Sequence, residues 1–595
     1  MPLKVGVSTG LYGVARSEDL GTAVRKLGYG LTRGVSAIEL SEDVPHEITE
    51  TEGKELRYIA KKQGLELLLH GSLTVPMCIP ERGEWRDADD HLKKSVRSAV
   101  YAGCSYVNFH ASLREWLELM TYAGRKLTMT FCDHEGNFIN KLLKKSEKLR
   151  KWFVEKRWDD YYTDVLTREE IYRASSRGDA EAEAWRKEEI GRRMRESGVP
   201  NDIIDYYLTH GSIPPMTPPD HVRKIRNIIE KITNEFSVKR SELDRKYIKD
   251  AMNRKLSTGG KWRNEELRAI VGVLDGYHIM AHYLFYEKDP IWMAMAEQYK
   301  DVLKRYKLDY SKFYWLDEAW EEAEKKNDKE FKEFFYGVCG AKFLEGHMKK
   351  LFEWMEKELI GKELKGKPEL QEIARKLKIA LEIPDSRDPS VAGMYILWHP
   401  KQLYAAIKTI RKTLKTDRVW ILIDFEHIAT QGLDVLKVLD EVTQKNPDFG
   451  SYVLSVHSNK PNPLHSHIPI EIGDIDIYTL EWYLRRSGMG KTYTAYLIFE
   501  RGGGEDPFKR AVEALKIIAR YLEQDIPPED LPPEFFGVKG LTAGSFKRQL
   551  QIIRDHFHEP LKDLLQMPEE EWSMLSQAAI KAGRKPEAWK KGELR

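Results

Sequence analysis

The chain has 595 residues, of which 41% are hydrophobic, and it carries four scattered cysteines and a formal net charge of +2. These values exclude a small disulfide scaffold and a globally disordered chain, and the length exceeds what one hydrophobic core usually serves. No run approaches the roughly 18 apolar residues of a membrane span, and the N-terminal segment lacks the regions of a signal peptide. We therefore expect a cytoplasmic protein that does not insert into a membrane.

Short apolar runs alternate with amphipathic helical stretches in two blocks, one before residue 110 and one after residue 379. Each block supplies four strands that are apolar through most of their length, as strands covered on both faces must be. The predicted strands are residues 4–8, 36–40, 65–70, 105–110, 379–382, 419–424, 452–457 and 493–500. Eight βα units predict a (β/α)8 TIM barrel, and a doubly wound open sheet is the competing architecture.

The two blocks are separated by long, charged, helical segments such as residues 141–158, 168–195 and 221–251. Proline pairs in residues 212–220 interrupt this pattern, because proline cannot continue a helix. Nine of the fifteen tryptophans lie here, which indicates that the insertion has its own core, although an aromatic nucleic-acid platform is an alternative.

The expected organisation is an α/β TIM barrel with a large helical insertion after strand four and a helical C-terminal extension. The barrel halves are residues 1–112 and 378–525, the insertion is residues 113–377, and the extension is residues 526–595. In the extension, helices are predicted over residues 543–565 and 569–582.

Six of the predicted strands end in, or directly beside, a side chain that can bind a divalent metal. These residues are His70, His110, Glu382, Asp424, His457 and Glu500. In a (β/α)8 barrel the C-terminal ends of all strands meet at one mouth, so residues distant in sequence become neighbours there. A metal compensates the desolvation of so many ionisable groups, whereas a hydrogen-bonded polar network is the structural alternative.

Three further histidines extend the candidate ligand set. His427 follows Asp424 by three residues, and His465 and His467 lie in the loop after His457, where alternation points them the same way. Nine candidate ligands exceed the needs of one metal and are typical of a two- or three-metal zinc or manganese site.

The order of the short motifs LLLHGS, NFHAS, LEIP, IDFEH, SVHSN, HSH and IFERGG resembles the zinc-ligand series of endonuclease IV. This family of apurinic/apyrimidinic endonucleases belongs to the xylose-isomerase-like barrel superfamily. The resemblance covers residues 1–112 and about 378–523. It implies a metal-dependent phosphodiester hydrolase of DNA repair, which cleaves DNA at abasic or damaged sites with two or three zinc ions.

Carried over residue by residue, the resemblance implies that His70 and His110 bind one zinc ion, with Glu382 as a bridging carboxylate. Asp424, His457 and Glu500 would complete the second site. His427 and His467 would hold a third ion, where the family has an Asp-x-His pair and this chain has His465-Ser466-His467. Glu382 and Glu500 are the candidate catalytic residues, the first as the bridge and the second to steer a hydroxide.

The chain departs from the family in the loops that would hold DNA. Residues 72–74 lack the aromatic wedge, and the family's basic loop reads Ser41-Glu42-Asp43. The net charge gives no nucleic-acid footprint either. The alternative is therefore a sugar isomerase or epimerase of the same superfamily, acting on a small sugar or phosphorylated substrate. It would hold one Mn²⁺ or Mg²⁺ through Glu382, Asp424, His457 and Glu500. A non-enzymatic scaffold with a partner-binding insertion is a third hypothesis.

Overall fold

The structure is a computed structural model that describes most of the barrel and of the insertion. The described residues are 3–9, 23–41, 47–72, 75–111, 128–259, 262–264, 266–270, 273–386, 396–463, 468–500 and 508–537. The strands are β1 (Lys4–Ser8), β2 (Ala37–Ser41), β3 (Glu66–His70), β4 (Tyr106–His110), β5 (Thr128–Thr130), β6 (Arg268–Ile270), β7 (Lys378–Glu382), β8 (Val419–Asp424), β9 (Val453–His457) and β10 (Tyr496–Glu500).

Eight of these strands form a closed parallel barrel in the order β1-β10-β9-β8-β7-β4-β3-β2. The closure confirms the predicted (β/α)8 barrel and excludes the open sheet. The observed strands coincide with the predicted ones to within three residues at either end. The agreement arises because strands covered on both faces are nearly continuous apolar runs, which are visible in the sequence.

Helices surround the barrel and build the insertion. In the barrel they are α1 (Ala23–Leu31), α2 (Glu50–Gln63), α3 (Arg82–Ala102), α15 (Pro400–Leu414), α16 (Phe425–Thr430), α17 (Val435–Lys445), α18 (Ile475–Arg486) and α19 (Phe508–Glu523). In the insertion they are α4 (Asn140–Lys145), α5 (Glu147–Val165), α6 (Arg168–Glu196), α7 (Asn201–His210), α8 (Pro219–Thr258), α9 (Val273–Tyr286), α10 (Pro290–Gln298), α11 (Lys300–Arg305), α12 (Trp315–Lys326), α13 (Lys329–Trp354) and α14 (Pro368–Lys376), with a π-helical stretch at Met355–Glu363. Short 3₁₀ turns lie at Phe449–Tyr452, Pro528–Asp530 and Pro533–Phe536.

Side chains inside the barrel follow the two-residue period of the strands. The interior apolar layer consists of Ala37, Leu68, Tyr106, Ala380, Trp420, Leu422, Leu454, Tyr496 and Ile498. Alternate residues of a strand share a face. His70 therefore faces the interior as Leu68 does, and Glu500 faces it as Ile498 does. The apolar interior therefore ends, at the mouth, in a layer of ionisable residues.

The insertion leaves the barrel after β4 and returns to it through α13 and α14. Helix α13 packs against α3 and α15, so it fills the place of the helix between the fourth and fifth barrel strands. Its buried residues belong to the same continuous core as the barrel helices. The prediction of a separate core is therefore wrong for most of the insertion.

A separate core does exist at the end of the long helix pair α6 and α8. Ion pairs along the pair show that the two helices are antiparallel, because partners early in α6 face partners late in α8: Lys255 with Glu170, Arg240 with Asp179, and Arg193 with Glu235. The far end holds a small cluster around α7 that includes Met194, Ile204 and Ile225. The 40 residues of α8 correspond to a rod of about 60 Å.

None of the helices described is long and apolar enough to cross a membrane. The extension is described only through residue 537, so its two predicted helices lie outside the described residues. The antiparallel pairing of β5 with β6 was not predicted, because strands of three residues carry no periodic signal.

Two helical glycines should respond oppositely to alanine. A Cβ atom at Gly346 in α13 would lie 1.6 Å from the backbone oxygen of His134, whereas one at Gly28 in α1 meets no described atom within 4 Å. We expect Gly346→Ala to lower the free energy of unfolding by about 1–3 kcal/mol through overpacking. Gly28→Ala should raise it by roughly 0.5–1 kcal/mol through helix propensity. Denaturant titration of both variants measures these changes, and equal effects would contradict the close approach at Gly346.

Candidate metal centre

The six residues predicted from the strand ends converge at the mouth of the barrel. Each is the last residue of its strand: His70 of β3, His110 of β4, Glu382 of β7, Asp424 of β8, His457 of β9 and Glu500 of β10. Neighbouring strands pair in register, so that His110 lies beside Glu382 and Asp424 beside His457. The parallel barrel thus assembles these side chains because all of its strands end on one side.

Glu382 occupies the centre of this group, and its carboxylate is fully buried. Its Oε2 atom lies 3.6 Å from His70 Nε2 and 3.7 Å from His110 Nε2. Its Oε1 atom lies 3.0 Å from His427 Nδ1 and 3.3 Å from His457 Nδ1. One carboxylate therefore faces histidines on two sides, which is the geometry of a bridging ligand.

One ring nitrogen of His457 faces three carboxylates. Its Nδ1 atom is 3.3 Å from Glu382 Oε1, 3.4 Å from Asp424 Oδ2 and 3.6 Å from Glu500 Oε2. The other nitrogen, Nε2, forms a hydrogen bond of 3.0 Å with Glu39 Oε1. A histidine fixed by a carboxylate on one nitrogen presents the other to a metal.

His427 lies in the first turn of α16, directly after β8. The Asp424 side chain caps this helix by accepting a hydrogen bond of 2.9 Å from the His427 backbone N–H. The ring Nδ1 of His427 is 2.9 Å from the carbonyl oxygen of Ile383, and Nε2 is 3.8 Å from Asp424 Oδ2. The cap explains why a histidine three residues beyond Asp424 faces the same site.

The donor atoms form three overlapping groups, each within 4.8 Å, that can hold a metal ion. The groups are His70, His110 and Glu382; Glu382, Asp424 and His457; and Asp424, His427 and Glu500. Glu382 belongs to the first and second groups, and Asp424 belongs to the second and third. The predicted ligands His465 and His467 lie outside the described residues, so a third ion held by His467 stays a prediction.

Several buried donor atoms lie within ion-pair distance of one another but form no hydrogen bond of good geometry among the described residues. They are His110 Nε2, Glu382 Oε1, Asp424 Oδ2 and His457 Nδ1. Buried polar atoms are normally hydrogen-bonded, and an uncompensated one costs about 1–3 kcal/mol. All four atoms belong to the groups described above, so the donor set fits a divalent cation.

The carboxylates shift the pKa values of the histidines in the absence of metal. Burial alone would lower the pKa of His70 and His427, but Glu382, Asp424 and their neighbours raise these values to about 9 and about 10. The pKa of His457 is also raised well above its usual range, against burial, by Glu39 and Glu382. His110 differs, because burial and the adjacent histidines lower its pKa to about 3.

Sequence reasoning missed the residues that surround the candidate ligands. Glu39 is fully buried and hydrogen-bonds His457, and Asn108 donates a hydrogen bond to Glu382 Oε2. Glu481 accepts a hydrogen bond of 2.6 Å from Ser458. Glu39 and Asn108 lie two residues before the ends of β2 and β4. A polar residue on the interior face of an otherwise apolar strand was the available signal.

Comparison with known proteins leaves the family open. No protein-family model matches the sequence, and no curated protein matches it. Among solved structures, a D-tagatose 3-epimerase-like protein is 10% identical with a TM-score of 0.34, covering 88% of this chain and 99% of its own. An L-ribulose 3-epimerase is 10% identical with a TM-score of 0.34, covering 91% and 100%. The apo 3-keto-D-glucoside 4-epimerase of E. coli is 9% identical with a TM-score of 0.29, covering 88% and 99%. These values are too low to carry an argument about function, which rests on the geometry of the site.

Proposed function

We propose that this chain is a divalent-metal-dependent enzyme that isomerises or epimerises a small sugar at the barrel mouth. One observation carries the proposal: four strands that are consecutive in the barrel, β7 to β10, each end in one ligand of the set. Three carboxylates of that set lie 3.3 to 3.6 Å from His457 Nδ1. This arrangement suits one ion with an oxygen-rich shell, which favours Mn²⁺ or Mg²⁺ over a sulfur-preferring metal.

The chemistry of such an enzyme is proton transfer at a carbon next to a carbonyl group. A bound divalent ion would polarise the substrate carbonyl and so acidify that carbon. Glu500 is the best placed base, because its side chain retains 15% exposure towards the mouth while Glu382 is fully buried. A positioned carboxylate of this kind contributes about 10²–10⁴-fold to proton transfer.

The charges around the site favour a neutral substrate over a polyanion. The carboxylates of Glu39, Glu382 and Asp424 are buried and face histidines of the site. These carboxylates would repel a phosphate group, which would need a bound metal as its counter-charge. Imidazole and amide groups, by contrast, are suitable hydrogen-bond partners for sugar hydroxyls.

A phosphodiester hydrolase resembling endonuclease IV is the second candidate, and one specific observation favours it. His70 and His110 face the Oε2 atom of Glu382, on the side away from His457. A second ion held there would share Glu382 with the first. Such a pair could activate water and neutralise the phosphoryl charge, with zinc as the metal that best suits two histidines.

Metal content and substrate turnover separate the two candidates. We expect one Mn²⁺ or Mg²⁺ per chain, and deuterium uptake from D₂O into the carbon next to the carbonyl of a ketose substrate. Glu500→Gln should slow this exchange by about 10² or more. Glu529, an exposed glutamate remote from the site in sequence, provides the control variant Glu529→Gln. Two or three zinc ions with cleavage of an abasic-site oligonucleotide, and no exchange in a panel of pentoses and hexoses, would favour the hydrolase instead.

A further inference from the structure

A buried pair, Glu39 and Tyr106, lies next to the ligand set and belongs to none of the three metal-binding groups. Glu39 comes from the interior face of β2, and its side chain is inaccessible to solvent. Its Oε1 atom hydrogen-bonds His457 Nε2 at 3.0 Å, and its Oε2 atom accepts a hydrogen bond of 2.5 Å from the Tyr106 hydroxyl. Both carboxylate oxygens are therefore engaged on the far side of His457 from Glu382.

We propose that Glu39, held by Tyr106, is a positioning residue that fixes the tautomer and orientation of His457 for metal binding. With its proton on Nε2 and shared with Glu39, the imidazole presents the Nδ1 lone pair to Glu382, Asp424 and Glu500. Glu39 acts through His457 and does not touch the ion. The inference rests on the proposed metal-dependent function and identifies which residues prepare its site.

The pair is built across the barrel rather than within one strand. Glu39 is on β2, Tyr106 on β4 and His457 on β9, and the Tyr106 hydroxyl is also 3.2 Å from the Ser455 hydroxyl. Each side chain is fully buried. Rotating the His457 ring would leave the Glu39 carboxylate without its histidine partner in a dry interior, where an unpaired charge is costly. Glu39 therefore restricts His457 to one orientation.

The chain contains a matched pair that serves as an internal control. Glu66, at the opposite end of the barrel, accepts a hydrogen bond of 2.5 Å from the Tyr496 hydroxyl, as Glu39 does from Tyr106. Glu66 lines a cavity of about 560 Å³ at the strand N-termini, and its described partners are Tyr496, Lys4 and Ser105, none of which is a candidate metal ligand. The variant Glu66→Gln thus removes a comparable glutamate–tyrosine interaction without reaching the metal site.

The experiment is titration of the full-length, metal-stripped chain with Co²⁺, followed by its visible spectrum and by competition with a chelator. Glu39→Gln should weaken Co²⁺ binding by about 10–100-fold and alter the absorption bands, because His457 is no longer held as a ligand. Tyr106→Phe should weaken binding less, with a spectral change in the same direction. Glu66→Gln should bind Co²⁺ as the wild type does.

The outcomes distinguish this inference from the proposed function. If the wild type binds Co²⁺, and Glu39→Gln and Tyr106→Phe bind it with unchanged affinity and spectrum, the positioning role is wrong while the metal site stands. If the wild type binds no divalent ion, the proposed function fails and the inference fails with it. Should Glu39→Gln not fold, Tyr106→Phe decides, since it keeps the carboxylate and removes only one hydrogen bond.

Discussion

Replacement of Glu382 by glutamine is expected to remove bound metal and to abolish most of the activity. Glu382 is the only residue shared by the groups that contain His70 and His457 among the described residues. Glutamine keeps the size of the side chain but removes the negative charge that faces both histidines. Breaking a buried charged pair costs about 3 kcal/mol or more, which corresponds to roughly a hundredfold loss of metal affinity. Metal analysis after dialysis, combined with a turnover assay, measures both effects.

A second buried glutamate provides the control for this variant. Glu481 lies in α18 against Ser458, the residue after His457, and burial raises its pKa to about 8. At neutral pH it is therefore mostly uncharged, and Glu481→Gln replaces one neutral side chain by another. We expect this variant to keep its metal. Full metal content and activity in Glu382→Gln would show that Glu382 is not a metal ligand.

The convergence of the candidate ligands at the mouth was predictable from the sequence because it follows from two local rules. An apolar run of about five residues marks a barrel strand, and its last interior residue must lie at the mouth. His70, Asp424 and Glu500 each satisfy both rules. Their mutual distances were not predictable, since these depend on which strands become neighbours when the sheet closes.

Other parts of the site depend on information that a strand end does not carry. Glu39 lies two residues before the end of β2. It can be assigned to the interior only because it shares a strand face with Ala37, which belongs to the interior layer. The partnership of Glu39 with Tyr106 and His457 joins strands that are not adjacent in sequence. A pattern read strand by strand cannot supply a contact across the barrel.

The insertion shows the same limit on a larger scale. Its helical periodicity and the proline interruption were visible, and α6 begins at the predicted residue, Arg168. The tryptophan content predicted a separate core, but most of these aromatic residues pack into the core that the barrel shares. The composition of a segment indicates how much apolar surface it must bury. It does not indicate which other part of the protein covers that surface.

Metal affinity should rise with pH over the range in which the site histidines lose their protons. Without metal, His70 and His427 have pKa values of about 9 and about 10, so both are protonated at neutral pH. The pKa of His457 is also raised well above its usual range, so an ion that binds at its Nδ1 atom must displace a proton, as must an ion that binds at His70 or His427. Each displaced proton changes the apparent affinity about tenfold per pH unit below the relevant pKa. Chelator competition between pH 6.5 and pH 9 measures the slope, and proton release can be followed in weakly buffered solution.

The metal-free protein should show the opposite trend, because the same protons stabilise its folded state. Histidine in the unfolded chain has a pKa of about 6.5, so between that pH and about 9 to 10 the folded state binds protons that the unfolded state does not. Stability in the presence of EDTA is therefore expected to be highest near or below pH 6.5 and to fall as pH rises through the folded pKa values. His70→Asn should reduce this fall, whereas His110→Asn should leave it unchanged, since the lowered pKa of His110 keeps that residue neutral throughout the range. Thermal denaturation of the EDTA-treated variants at pH 6.5 and pH 9.5 measures the difference, and an identical pH dependence in the wild type and His70→Asn would show that His70 does not hold its proton against the carboxylates.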